Sequence, residues 1–192
     1  MLFYNLRMHI ISRDSPCYYL TSVTRDRLPV FRSDEIKLIT CAALDEARRA
    51  GGFALYANVI MLDHLHIITD SMLAPSRTLQ FINGITGRRI IGYLKEHNHE
   101  ASLKKLRHEM RPRRYSHSLW DHHPDARLLL TENMLMQRVH YTHQNPVRAN
   151  LVKQPEEYRW SSIRCWTGKI LEDEPLRMDL DRIQWRKGGR AS

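Results

Sequence analysis

Two short stretches carry residue types that could do chemistry. In "MLDHLHIITD" (61–70), His64 and His66 stand two apart inside an apolar run. Side chains alternate faces along a strand, so both imidazoles point one way while Leu65 and Ile67 point the other. Two converging imidazoles make half of a metal site; the same pattern also suits two satisfied histidines near a sheet surface. In "QRVHYTHQNP" (137–146), Tyr141 and Asn145 are four apart and share one helix face, with Gln137 a turn earlier and Arg138 beside them. A phenol and an amide oxygen on that face can reach one point.

These residues need elements to hold them. "CYYLTSV" opens with aromatic and β-branched residues and reads as a strand that exits through a charged turn towards Phe31. Ser33 caps a helix whose first turn carries Asp34 and Glu35; Ile36, Ile39, Ala43 and Ala47 recur at helical spacing, and Gly51–Gly52 end it. "FALYANVIM" and "HLHIITD" form two antiparallel strands about a tight turn at Leu62 and Asp63. A second helix spans 75–98 despite three glycines, followed by a basic loop through Pro112. "YSHSLWDHHPDARLLL" reads as a bent or interrupted strand, and a third helix runs from a Thr131 cap to Asn145, ended by Pro146. Strand, helix, strand, strand, helix, strand is the split βαβ order of a ferredoxin-like α+β fold, an antiparallel sheet with helices. The expected division is a catalytic domain over 1–150 and a C-terminal extension over 151–192 packed on it, ending in a basic, frayed tail.

Composition narrows the partners. A chain of 192 residues suits one domain with a real core. Nothing approaches the roughly 20 unbroken apolar residues of a membrane span, and Asn5, Arg7 and His9 interrupt the N-terminus before a signal-like segment develops. A soluble, cytoplasmic protein with no membrane partner is expected. Cys17, Cys41 and Cys165 are odd in number and far apart, which fits buried thiols and neither a disulfide framework nor a zinc module. Thirty Lys and Arg against 21 Asp and Glu leave a net charge of +9, and basic residues cluster in "KKLRHEMRPRRY". A nucleic acid is the natural partner, since neutralised phosphates release condensed counterions.

Quoted together, "MLDHLHIITD", "YTHQNPVRANLV" and "EEYRWSSIRCW" resemble the His-hydrophobic-His strand, the Tyr-x-x-x-Asn-Pro-x-(Arg/Lys)-Ala helix and the Trp-Ser-Ser continuation of the REP-associated tyrosine transposases. These belong to the IS200/IS605-like Y1 transposases of the HUH single-strand nuclease superfamily. The resemblance runs from about Tyr18 to Trp166. It implies that His64 and His66 bind Mg²⁺ or Mn²⁺, that Asn145 is the candidate third ligand, and that Tyr141 is the nucleophile. The implied reaction is cleavage and rejoining of single-stranded, hairpin-bearing DNA by transesterification through a 5′-phosphotyrosine, with no nucleotide cofactor. Lys104, Lys105, Arg111, Arg113, Arg114 and Arg148 are the candidate DNA contacts.

Two departures stand out. Leu62 and Asp63 replace the Pro-Asn that often precedes the first histidine; on a regular strand Asp63 faces away from the pair and is not counted as a ligand. Asn150 replaces a common glycine, and Asn tolerates left-handed geometry. His140 and His143 project to either side of Tyr141, and His122 and His123 point to opposite faces; all four read as structural or DNA-facing. "HNH" at 97–99 lacks the pattern of a ββα-metal nuclease and reads as solvated. Trp160 and Trp166 read as packing residues of the extension ahead of base-stacking ones. The rival readings are a hairpin-binding protein that does not cut and, further off, a small-molecule phosphoesterase using water in place of Tyr141. Monomer and homodimer both remain open.

Overall fold

The alternation in CYYLTSV forms β1 (Cys17–Val23), which sends Tyr19 and Thr21 to one face and Leu20 and Ser22 to the other. A computed structural model describes residues 9–107, 117–121 and 124–185. The elements that follow are α1 (Asp34–Gly51), β2 (Leu55–Ile60), β3 (His64–Thr69), α2 (Pro75–Glu96), α3 (Glu100–Leu106), β4 (Asp125–Leu129), α4 (Glu132–Arg148) and α5 (Ile163–Trp166). The sheet order is β2-β3-β1-β4 with every pairing antiparallel, so the fold is the expected ferredoxin-like α+β arrangement.

Each face of the sheet has its own core. Leu20, Leu65 and Ile67 pack with Leu44, Ile82 and Ile90 beneath α1 and α2. Tyr19, Tyr56 and Ile68 pack with Leu135 and Val139 of α4 on the opposite face. Helix α1 begins where the Ser33 hydroxyl accepts the Ile36 amide at 3.3 Å, and ends at Gly52, whose φ of +69° suits glycine. Of the three glycines in helix α2, Gly87 lies against the Trp120 ring, whose indole N–H donates to the Asn83 carbonyl, while Gly84 and Gly92 face open space.

Three local readings differ. The segment expected to be a basic loop begins with α3, because Glu, Ala, Leu and Lys favour a helix and Leu103 and Leu106 are buried. Among the described residues, the strand expected over 115–130 is confined to β4 and to isolated bridges from His117 to Arg107 and from Trp120 to Thr24. Helix α4 does not stop at Asn145 but runs through Pro146 to Arg148. Pro146 has no N–H for the Thr142 carbonyl, and the Asn145 side-chain amide donates to the carbonyls of Tyr141 (2.8 Å) and Thr142 (3.4 Å) instead. The helix then closes at Asn150, whose φ of +53° is left-handed as the sequence reading anticipates, with the Leu151 amide donating to the Pro146 carbonyl.

Residues after Leu151 wrap the edge of β2. The Ile60 amide donates to Trp160, the Ser162 amide donates to Asn58, and the Asn58 amide donates to the Ser162 hydroxyl. The strand edge is thereby covered. Arg164 and Glu174, both almost fully buried, pair at 2.7 Å and hold the wrapping segment closed. The three cysteines are buried free thiols.

Candidate active site

Strand alternation puts His64 and His66 on the face that α4 covers, and antiparallel pairing sets Thr21 opposite His66 and Val23 opposite His64. The two imidazoles lie 4.9 Å apart between ring centres. His66 is buried, stacks on Tyr19 at 5.2 Å, and has Nδ1 3.0 Å from the Thr21 hydroxyl. Burial first, then the neighbouring His64 and Arg138, pull its pKa down to about 3, so the ring is neutral at physiological pH. A neutral imidazole is the form that ligates metal.

His64 is half-buried, and its Nδ1 lies 2.5 Å from the Asp63 carboxylate, which also receives Arg27 at 3.1 Å. The expectation that Asp63 faces away from the pair is therefore corrected. Asp63 sits in the turn before β3, outside the strand's alternation, and its side chain folds back towards His64. Burial alone would raise the Asp63 carboxyl; the hydrogen bonds and charges of His64 and Arg27 outweigh it and hold the pKa below the usual value.

Helix α4 brings Tyr141 to the same place. Its Thr131 cap accepts the Met134 amide, and Leu135, Val139, Thr142 and His143 bury one side of the helix. Tyr141 is half-buried with its ring 5.9 Å from His66 and 6.3 Å, edge-on, from Tyr19. The guanidiniums of Arg148 and Arg138 lie 4.9 and 5.5 Å from the Tyr141 ring centre. Two guanidiniums beside the phenol place positive charge where a phosphate would lie.

Asn145 lies one turn further along α4 with its amide nitrogen committed to the helix backbone, so the side-chain oxygen is the atom left to ligate. Among the described residues, no cluster of three or more His, Cys, Asp and Glu side chains could hold a metal. A divalent ion here would rest on two imidazoles plus oxygen donors, a set that suits a hard cation with open positions. The chemistry of these side chains fits such an ion.

The basic candidates divide. Arg148 reaches the site. Lys104 and Lys105 are exposed on α3, whose buried leucines join the core beneath α1 and α2, on the far side of the sheet from Tyr141. Arg111, Arg113, Arg114, His122 and His123 lie outside the described residues. His140 is exposed. His143 is buried with Nε2 2.9 Å from the Ser162 hydroxyl, and burial, with His140 nearby, lowers its pKa to about 4. His97 and His99 are exposed beside Tyr93. Trp160 is buried, and the Trp166 indole donates to the Tyr56 carbonyl at 2.8 Å, so both pack the extension. Sequence reasoning missed Tyr19, Thr21 and the contact of Asp63; for the first two, the only signal was their place on a strand pairing with β3.

Among solved structures, the chain is similar to a REP-associated tyrosine transposase bound to a REP hairpin, at 19% identity and a TM-score of 0.54, over 94% of this chain and 93% of that one. It also matches a protein from Deinococcus radiodurans R1 assigned as a transposase, at 20% identity and a TM-score of 0.47, over 66% of this chain and 88% of that one. No protein-family model and no curated protein sequence matches. The chain thus shares the fold of the first of these proteins along nearly its whole length. Among the described residues, no helix is long and apolar enough to cross a membrane.

Proposed function

We propose that this protein is a metal-dependent transposase or nickase that cuts and rejoins single-stranded, hairpin-bearing DNA through a covalent link to Tyr141. The observation that carries the reading is the approach of Tyr141 to within 5.9 Å of His66, beside His64 and between Arg138 and Arg148. The hairpin partner is supported by the solved neighbour of the same fold, which is bound to a REP hairpin, and by the net charge of +9.

The residues divide the work. Arg138 and Arg148 place positive charge beside the phenol, where it attracts a backbone phosphate and offsets charge that develops during the attack. The Tyr141 oxygen attacks phosphorus, the bond to the 3′ oxygen breaks, and that oxygen leaves as a 3′-hydroxyl after taking a proton from solvent. The 5′ phosphate remains on Tyr141. Attack by a second 3′-hydroxyl reverses the step, rejoins a strand and returns the phenol, so the phosphodiester energy is conserved without ATP. His64 and His66, with the Asn145 oxygen as third ligand, would hold Mg²⁺ or Mn²⁺. When bound, that ion supplies Lewis-acid stabilisation of charge on the phosphate oxygens. The half-buried Tyr141 is shielded on the sheet side by Tyr19 and His66 and open on the other, which lets a flexible single strand lie across it.

The test uses labelled single-stranded hairpin DNA from the region flanking the protein's own gene, incubated with Mn²⁺ or Mg²⁺ and resolved on a denaturing gel. A slow covalent species in the wild type, absent in Tyr141→Phe, is the expected result. Hairpin binding with no cleavage in either metal would assign a non-cutting DNA-binding role. Cleavage that persists in Tyr141→Phe would indicate water as the nucleophile.

A further inference from the structure

The β2–β3 turn that precedes the histidines is held more tightly than a hairpin turn requires. The Met61 amide donates to the His64 carbonyl, the Phe31 amide donates to the Leu62 carbonyl, and the Thr24 amide donates to the Asp63 carbonyl at 2.8 Å, while the single Thr24 hydroxyl proton is shared between the carbonyls of Leu28 (2.7 Å) and Asp63 (2.9 Å). Thr24 is completely buried. These bonds fix the backbone of Asp63 on one side while Arg27 holds its carboxylate on the other. Delivering Arg27 requires two successive non-glycine residues in the left-handed region, Asp26 at φ +52° and Arg27 at φ +50°. Such backbone persists only where the surroundings impose it.

The consequence falls on the imidazoles. A carboxylate only accepts hydrogen bonds, so the proton between Asp63 and His64 belongs to Nδ1 of the ring. In the neutral ring, Nε2 of His64 is then the nitrogen that carries the lone pair. His66 makes the matching contact, with Nδ1 on the Thr21 hydroxyl. Both rings are therefore held through Nδ1, but only the Asp63 carboxylate dictates where the proton sits, because the Thr21 hydroxyl can donate or accept. Partners of this kind fix the tautomer and orientation of metal-binding histidines.

We propose that Asp63 and Thr21 are positioning residues: Asp63 locks His64 as the Nδ1–H tautomer, so that it presents Nε2 to the metal, Thr21 holds the orientation of the His66 ring through Nδ1, and Arg27 and the Thr24-anchored turn hold Asp63 in place. The proposal rests on the reading that His64 and His66 bind a divalent ion. It assigns Asp63 a role that its place outside the strand's alternation conceals.

The experiment has two arms. Long-range ¹H–¹⁵N correlation spectra of the metal-free, DNA-free protein read the tautomer of each ring, assigned with His64→Gln and His66→Gln. An Nδ1-protonated, Nε2-free ring is expected at His64. Asp63→Ala should shift His64 towards the Nε2–H form and leave His66 unchanged, and Thr21→Val should alter the His66 signals and leave those of His64 unchanged. Mn²⁺ titration followed by electron paramagnetic resonance is the second arm. Either variant should bind about 10- to 100-fold more weakly than the wild type, whereas Asp63→Asn and Thr21→Ser, which keep an accepting oxygen, should recover most of the affinity. An Nε2–H His64 in the wild type, or Asp63→Ala with unchanged tautomer and Mn²⁺ affinity in a folded protein, overturns the proposal. The expected His64 tautomer with no Mn²⁺ binding overturns the metal role and the reading beneath it. Mn²⁺ binding that follows the expected order without DNA cleavage upholds the positioning role and refutes the proposed reaction alone.

Discussion

Lowering the pH from 8 to 5 should destabilise this protein by about 4 kcal/mol through two buried imidazoles. His66 and His143 are 7% and 3% exposed, and their pKa values fall to about 3 and about 4 on folding. A free histidine titrates near 6.5. Between the two values the unfolded chain binds protons that the folded one refuses, so stability rises with pH through that window. The contribution is complete above the unfolded value and drains away as pH falls towards the folded one. Each imidazole contributes a slope of about 1.4 kcal/mol per pH unit, or ~2 kcal/mol by pH 5. Two such groups reach ~4 kcal/mol, a large share of the roughly 5–15 kcal/mol of a typical domain. The assay is urea denaturation at pH 8, 7, 6 and 5 with a chelator present. His143→Gln is the diagnostic variant, because His143 lies outside the proposed metal site and touches Ser162. Between pH 8 and 5 its stability should fall by about 2 kcal/mol less than the wild type's. Equal slopes in the two proteins would refute the claim that His143 is held neutral by its burial.

Other consequences follow from packing. Glu174→Gln leaves the buried Arg164 without its counter-charge and should cost about 3–5 kcal/mol by denaturant unfolding. Gly51→Ala should destabilise, because its Cβ would lie 2.7 Å from the Phe53 ring, whereas Gly87→Ala meets nothing nearer than 3.7 Å and should be neutral or gain up to about 1 kcal/mol of helix propensity. Asn145→Ala should cost about 1 kcal/mol, and the cost should shrink in a Pro146→Ala background, where the Thr142 carbonyl regains a backbone donor; a double-mutant cycle measures the difference.

The part of the site visible from sequence is the part governed by periodicity. Alternation puts His64 and His66 on one face, and four-residue spacing puts Tyr141 and Asn145 on one helix face; the structure keeps both relations and brings Tyr141 to His66. The order of strands and helices likewise carries the ferredoxin-like topology, because a tight turn forces β2 and β3 to be neighbours. What escaped depends on register and on residues outside regular elements. Thr21 and Tyr19 meet His66 only because β1 pairs with β3 in one particular register, and a slip of one residue would turn them to the other face. Asp63 obeys no strand period because it belongs to the turn. Pro146 looked like a helix end, since a proline removes one backbone donor, but the side chain of Asn145 replaces part of that bond. The Arg164–Glu174 pair joins residues ten apart with no periodic signal to mark it.

The central claim is that Tyr141 becomes joined to the 5′ phosphate of a cleaved strand, and peptide mass spectrometry tests it most directly. Wild-type protein is incubated with hairpin DNA and Mn²⁺, digested with nuclease and trypsin, and the fragment Val139–Arg148 is sequenced. The account predicts a nucleotide attached to Tyr141 through its 5′ phosphate. Cleaved DNA accompanied by an unmodified Val139–Arg148 fragment, or by an adduct on another residue, would contradict it.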